Sequence, residues 1–452
     1  MFETVRLVNF RAFRDTGELR LRRLNVIIGQ NSSGKSSILH ALVLLKQTLD
    51  DPEPRTALVT AGGPQGIDLG GYPDLVHGRR ERLVPEIHFR LAAALAPRIT
   101  VEEEPGGPGV PAGHVPAELR LAFSQRARTG AILVRRFEAL LADGSAFVRG
   151  APRGRPVVRD WESDVIPETD RGHFALALDH FVPMLAPIGR APKSPRALAR
   201  AQHWLGASWG LRFWVSETFQ RTAYLGPLRE YVRRMYPVTG ESPSTVGARG
   251  ENMIAVLHRD ENLRPAERRG LLGHMAAWLR DEFGLVEDIV LQQMSTDGQP
   301  AMLSLVARDA ATGDRINLAD AGFGVSQVAP VVTQGFLSRQ ATALLIEQPE
   351  IHLHPRAQAA LGSLLVELAN SGRQLLVETH SEHLVLRIRR HVAEGKIRPP
   401  DVGLFYVERG TRGSTVRALE LDAQGMVPDW PKGFFEEDYA EAMQLARAAS
   451  GV

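Results

Sequence analysis

The sequence predicts an α/β fold with a mixed, largely parallel core sheet, an antiparallel β lobe, a helical insertion and no long coiled coil. Three observations predict it. Between residues 221 and 380, short apolar strands alternate with helices, the pattern of a parallel sheet covered on both faces. A glycine-rich turn, Gly29–Ser36, lies between an apolar strand and an amphipathic helix. Residues 53–160 are rich in Gly, Pro and Arg and hold only short strand-like runs, as hairpins do. The expected division is an N-terminal lobe over 1–160, a helical insertion over 161–220 and a C-terminal lobe over 221–452.

Residues 2–8 alternate as a strand does, and Glu18–Arg23 reads as a second one. Leu24–Ile28 is short, apolar and β-branched, as a buried strand is. From Lys35 to Leu49 the apolar residues Ile38, Leu42, Leu45 and Leu49 recur at helical spacing. Strand-like runs follow at Glu86–Leu91, Glu118–Phe123 and Ala131–Leu140, and Glu102–Pro116 reads as a surface loop. Phe174–Leu185 reads as a helix. Farther on, Pro265–Phe283, Val325–Leu337 and Pro355–Asn370 read as helices. Ile289–Gln292, Met302–Arg308, Ala343–Ile346 and Gln374–Glu378 read as strands. The tail from Ala418 reads as a strand, a turn and a helix.

Composition narrows the function classes. The chain has 452 residues, is 44% hydrophobic and contains no cysteine, so disulfides and thiolate metal sites are excluded. No stretch reaches the ~18 uninterrupted apolar residues of a membrane span, and the N-terminus lacks a secretory pattern. A cytoplasmic protein is expected. Net charge is only +2, but nine basic residues stand against Glu217 and Glu230 between Arg190 and Tyr236. Such a segment suits phosphate backbones, although arginine outnumbers lysine along the whole chain.

Four motifs carry chemistry. Gly29-Gln30-Asn31-Ser32-Ser33-Gly34-Lys35-Ser36 fits G-x-x-x-x-G-K-[ST], with a strand before it and a helix after it. Its glycines let successive N–H groups face a phosphate, and the helix N-terminus adds a positive dipole end. Lys35 is expected to reach the outer phosphates and Ser36 to bind Mg²⁺. In Leu344–Glu350 a buried strand ends in Glu347, a carboxylate suited to Mg²⁺. Asp320–Gln327, with Gly322, Gly324 and Ser326, opens a helix and forms a second phosphate cradle. One chain with one P-loop has no use for a second cradle, whereas two chains packed head to tail do. Finally, His380 in Val377–Ser381 ends another buried strand, where ligands bind in open α/β sheets.

The order of these motifs, with Val5–Phe13 at the start, resembles ABC-type P-loop ATPases of the SMC/RecF class. It is most similar to OLD-family-like bacterial ATPases. The stretches GQNSSGKSS, AYLGPLRE, DAGFGVSQ, IEQPEIHLHP and VETHSEHL carry the resemblance, over roughly residues 1–50 and 220–410. It implies an ATPase head that binds ATP and Mg²⁺ through Gly29, Asn31, Ser32, Ser33, Gly34, Lys35, Ser36 and Ser37. Ser36 and Glu347 would hold the metal. Arg11 would lie near the nucleotide. Gly324 and Ser326 would touch the partner's γ-phosphate, and His380 would be the switch histidine. Arg229 would sense nucleotide or DNA, and Gln65 is one candidate for the Q-loop residue.

The sequence departs from the class at Gln348, where a catalytic Glu is usual. An amide cannot accept a proton as a carboxylate does, but it can orient a water. The resemblance favours a native Gln with slow hydrolysis and a long-lived ATP-bound dimer. Glu350 as the acting carboxylate and an engineered trap are the alternatives. The implied partners are a second copy or larger homo-oligomer, a separate effector such as a nuclease or toxin, and DNA; no membrane is implied. Only about forty-five residues follow Val407, fewer than the roughly hundred of a Toprim nuclease domain. Anti-phage defence is the implied biology, with a repair or recombination ATPase as the alternative and a transporter subunit the least favoured.

Overall fold

The computed structural model describes residues 1–63, 66–80, 82–92, 116–152, 157–240, 242–284, 286–295, 301–309 and 312–431. By contacts, the chain forms two compact units. One comprises 1–21, 36–222 and 409–415, and the other 22–35, 223–408 and 416–452. The second unit takes in the glycine-rich turn as far as Lys35.

The first unit is built on antiparallel strands. Phe2–Phe10 pairs with Glu86–Leu91, which pairs with Glu118–Gln125, then Ile132–Leu140, then Ala146–Gly150. Alternation decides the faces. Ile87, Phe89 and Leu91 are buried, while Glu86, His88 and Arg90 occupy the other face. That polar face is tied by ions, with Arg90 and Arg120 both on Glu118 and with Arg136 on Glu86. Phe2, Phe89 and Phe219 meet edge to face, their ring centroids 5.2 to 6.4 Å apart. The three runs expected to be strands here are strands. Most of the expected loop Glu102–Pro116 lies outside the described residues.

The insertion is only half helical. Phe174–Leu185, expected to be a helix, forms a hairpin of strands Phe174–Asp179 and Val182–Pro187. Pro183 lacks the N–H group a helix interior needs, and His180 turns the chain at a positive φ of 54°. The helix comes later, over Pro195–Gln220, with Ser194 as N-cap and a proline in its first turn. Ser208 on this helix accepts the Leu185 N–H, which ties the hairpin to it.

The second unit holds the parallel sheet. Its strand order is Val402–Gly410, Leu24–Gly29, Gln374–Glu378, Ala343–Glu347, Thr222–Leu225. Leu24–Gly29, Ala343–Glu347 and Gln374–Glu378 are buried at every residue, the reason these segments read as unbroken apolar runs. Helices Phe323–Leu337, Pro355–Asn370 and Glu382–Ala393 pack on them with Leu361, Leu364, Leu384 and Ile388 in the core. Each such side chain contributes about 1.5–3 kcal/mol through burial. An antiparallel set, Val286–Met294 with Met302–Asp309, extends beyond the expected strands.

Pro265–Phe283 is corrected: the helix starts at Leu271, after Gly270 at φ 64°, and ends in a π turn over Trp278–Glu282. Helix Met253–Asn262 has no counterpart in the sequence reading. The final strand is Gly413–Leu419, and the helix expected after it lies outside the described residues. Among the described residues no helix is long and apolar enough to cross a membrane.

Candidate nucleotide-binding site

Strand Leu24–Gly29 delivers the chain into the P-loop at the C-terminal edge of the parallel sheet. Gly29 is required there. At φ 145° its backbone passes so close to strand Val402–Gly410 that a Cβ would stand 2.1 Å from the Val407 carbonyl oxygen. Gly34 takes φ 99°, and Ser32 sits at φ 59°. Asn31 and Ser32 are exposed at the tip of the turn, whereas Ser33 is buried. Ser36 and Ser37 are the first two residues of helix Ser36–Leu49.

Lys35 is only 3% exposed. Its Nζ donates to the carbonyls of Gly29 at 3.1 Å and Gln30 at 2.8 Å, folded back on its own loop. Burial pulls the ammonium below its usual range, and the negative charges of Glu378 and then Glu350 oppose the shift.

Three acids lie at the ends of two neighbouring strands. Glu347 ends Ala343–Glu347 and is 3% exposed; its Oε1 accepts a 2.7 Å hydrogen bond from the Tyr224 hydroxyl. Burial, with Glu347 beside it, drives the Tyr224 phenol far above its normal range, so it stays protonated and acts as a donor. Arg229 donates from Nη2 to the Glu347 carbonyl at 2.9 Å. It is 5% exposed, and burial brings the guanidinium down to about 10 against the opposing charge of Glu350. Glu350 is also buried, and burial raises its carboxyl although the His380 N–H donates to it. Glu378 ends the adjacent strand in register with Glu347.

Gln348 takes φ 41°, a left-handed conformation rare for residues other than glycine or asparagine, and its N–H donates to the Glu378 carbonyl at 2.8 Å. The imidazole of His380 is half-buried. Desolvation first, and the Lys35 charge second, lower it to about 4. A neutral ring therefore faces the site at pH 7. Ser381 caps the following helix, accepting the Leu384 N–H at 3.0 Å and donating to Gln358 at 2.6 Å.

Lys35, Glu347, Gln348, Glu350 and His380 thus converge at one edge of the parallel sheet. Arg11, in the first unit, sits at φ 50° with its guanidinium 3.1 Å from His40 Nδ1 on helix Ser36–Leu49. Gly324 is the second residue of helix Phe323–Leu337 and is half-buried. Ser326 is only 4% exposed, so it is the turn around Gly322 and Gly324 that this helix presents to solvent. Gln327 Nε2 approaches the Arg229 carbonyl at 3.5 Å. Gln65 lies outside the described residues.

The basic segment is largely used within the fold. Arg200 pairs with Asp170, Arg212 with Asp179, Arg221 with Glu217, Arg233 with Glu230 and Arg234 with Asp320, and Arg229 is buried. Arg190, Lys193 and Arg196 remain exposed.

Sequence reading missed Tyr224 and Glu378. Both lie inside stretches that carry the resemblance, AYLGPLRE and VETHSEHL, but only strand pairing shows that they flank Glu347. The donor set suits the groups the motif implies. Hydroxyl and carboxylate oxygens are hard ligands of the kind Mg²⁺ takes together with phosphate oxygens, and the glycine turn leaves backbone N–H groups for the phosphates.

Comparison with known proteins agrees with this chemistry. Residues 1–68 and 271–385 match the model of a family described as AAA ATPase domain. These segments contain Lys35, Ser36, Glu347, Gln348, Glu350, Glu378 and His380 but not Tyr224 or Arg229, so the chain is similar to ATPase domains over its phosphate loop and the acids facing it. Residues 397–445 match a family described as a protein of unknown function (DUF3696). No curated protein matches the chain. Among solved structures, the chain is similar to the Smc head domain with an extended coiled coil bound to the C-terminal domain of ScpA, derived from Pyrococcus furiosus. The identity is 10%, covering 99% of each chain, with a TM-score of 0.44. The SMC head domain from Thermotoga maritima is 13% identical over 93% of this chain and 99% of that one, with a TM-score of 0.38.

Proposed function

We propose that the protein is a nucleotide-gated switch of the OLD-like kind, in which two copies close head to tail over ATP and Mg²⁺ and so control a separate effector. One observation carries the reading: a buried lysine on a glycine turn and the buried carboxylates Glu347, Glu350 and Glu378 all lie at the C-terminal edge of one parallel sheet. That edge is where α/β sheets bind ligands. Lys35 and the loop N–H groups would hold the β- and γ-phosphates, and Ser36 and Glu347 would hold Mg²⁺, which when bound neutralises phosphate charge. Neutral His380 would donate or accept a hydrogen bond at the terminal phosphate. Gln348 would orient a water without taking its proton, so turnover is slow.

The turn Gly322–Gly324 supports dimer closure, because an exposed glycine turn at a helix N-terminus suits a partner's phosphate. The pairing of most basic residues within the fold favours a protein effector over DNA as the main output. Anti-phage defence is the biological setting we favour, by resemblance alone.

The test is ATP binding and steady-state hydrolysis by the full chain, with Lys35→Ala as the blank and with duplex DNA added in parallel. Binding with turnover well below the ~10 s⁻¹ enzyme median supports the switch. Absence of ATP binding, or turnover of hundreds per second, rejects it.

A further inference from the structure

Helix Pro195–Gln220 buries Trp204, Leu211, Trp214 and Val215 on its core side. Its outer side is apolar as well. Leu198, Leu205, Trp209 and Phe213 follow one another at helical spacing and share one face, a stripe about four turns long. Trp209 is 63% exposed and Phe213 is 61% exposed, and Leu198 is exposed beside them. Single exposed apolar residues are ordinary, but two large aromatics one turn apart on such a stripe form a patch, and patches of this kind mark interaction sites.

The stripe borders a concave surface. Leu205 and Trp209 line a cleft of about 440 Å³ with Met184, Leu185 and Pro187 of strand Val182–Pro187. Two contacts set its direction. Ser208 accepts the Leu185 N–H at 2.8 Å, and Arg212 pairs with Asp179 beside the turn of the hairpin. Strand and helix therefore run antiparallel, and the link between them, 188–194, stands at the N-terminal end of the helix. This link and the first helical turn carry Arg190, Lys193 and Arg196, all exposed and without an ion pair among the described residues. The acids Asp170, Asp179 and Glu217 are already paired, with Arg200, Arg212 and Arg221. The groove is thus apolar along its length and positive at one end.

We infer that this face docks an amphipathic helix of a separate protein, about four turns long, with large apolar residues on one side and carboxylates at the end that meets Arg190, Lys193 and Arg196. A ridge of apolar side chains seats in a groove of this shape, and Trp209 and Phe213 are its anchors. The unpaired cations select an acidic partner and set its direction. A concave face suits a helix better than a bilayer, into which an apolar face must protrude. A second copy pairing through the same face brings its own paired acids and has none free for the cations. The inference gives the effector of the proposed function a docking place and rests on that reading for the partner's role alone. The surface lies wholly within the first unit, and its test needs no nucleotide.

The probe is a fluorescent synthetic peptide of about 16 residues, long enough for the stripe at ~1.5 Å per residue. It carries leucine at i, i+4, i+7 and i+11, and is made in two versions, with glutamates in the first turn or in the last. Titration with the full chain, without nucleotide, is expected to show one version binding with Kd of about 10 μM. Trp209→Ala is expected to weaken it about tenfold or more. Lys193→Glu combined with Arg196→Glu is expected to weaken it about tenfold and to flatten its salt dependence. A peptide with lysine in place of glutamate is expected to bind at least about tenfold less tightly. Binding by neither version overturns the inference, as does equal binding of the lysine peptide or unchanged binding by Trp209→Ala. Two further outcomes assign the face to another occupant and also overturn it. One is self-association in sedimentation that Trp209→Ala abolishes, which means a second copy. The other is binding to vesicles of equal parts phosphatidylserine and phosphatidylcholine that Trp209→Ala abolishes while neither peptide binds, which means a membrane. Should Trp209→Ala not fold, the charge-reversed variant decides, because its two side chains are exposed and unpaired. ATP binding is expected to be unchanged in every variant. Loss of peptide binding with ATP binding intact therefore isolates this surface, and a wild-type chain that binds peptide but no ATP overturns the nucleotide reading alone.

Discussion

The carboxylate of Glu350 accepts a 2.6 Å hydrogen bond from the backbone N–H of His380, so the turn after strand Ala343–Glu347 fixes the turn after strand Gln374–Glu378. A buried acid thereby positions the residue read as the switch histidine. The glutamate offered by the sequence as a substitute base has a structural partner already.

Glu350→Gln keeps an acceptor for that N–H and removes a buried charge. Burial raises the Glu350 carboxyl above its unfolded value, so the folded state binds the extra proton, and stability falls as pH rises from about 4.3 through the raised folded value. Glu350→Gln should abolish that decline and be as stable as wild type, or more so, at pH 7. Glu350→Ala should lose about 1–3 kcal/mol through the unpaired His380 N–H. Urea unfolding at pH 5 and pH 7 checks both. Turnover retained in Glu350→Gln would exclude Glu350 as the base.

Tyr224→Phe removes the hydroxyl that donates to Glu347 Oε1. The expected loss is about 1–3 kcal/mol of stability. The apparent affinity for Mg²⁺ in the ATPase assay should change as well, because the Glu347 carboxylate is no longer held in one orientation. Thermal unfolding and a Mg²⁺ titration of the rate, read together, test this; an unchanged Mg²⁺ dependence would reject the orienting role.

His380 is held down to about 4 by burial and by Lys35. Its folded value lies below its unfolded one, so its contribution to stability is present above about pH 6.5 and is lost as pH falls toward 4. The ATPase rate should therefore show no limb from His380 between pH 6 and 8. A limb near 6.5 that disappears in His380→Gln would contradict the neutral ring.

Gly324→Asp tests the shared-site model without disturbing the core. A Cβ at Gly324 meets only ordinary contacts, 3.4 Å from Leu353 Cδ2 and 3.5 Å from the His352 carbonyl. Ser326, being buried, is a poorer target. The new carboxylate should repel a partner's phosphate, leaving ATP binding by each chain within about twofold and reducing ATP-dependent association at least tenfold, more than ~1.4 kcal/mol. Sedimentation with and without ATP measures the second effect, and undiminished association would reject head-to-tail closure through this turn.

The sequence by itself determined the parallel core and the phosphate loop. Fully buried strands must be continuous apolar runs, and a loop that wraps a phosphate needs glycine at fixed spacing, so Leu24–Gly29, Ala343–Glu347, Gln374–Glu378 and Gly29–Ser36 were legible from local pattern alone. Phe174–Leu185 was misread because a short apolar run fits helix and strand alike until Pro183 and the pairing of its two halves decide. Which acids stand together was decided only by the tertiary structure. Glu347 and Glu378 are thirty-one positions apart in sequence and become neighbours through parallel register, and Tyr224 reaches Glu347 from a strand more than a hundred residues away. Charge coupling depends on distance in space and on burial, and neither is written in the local pattern of a chain.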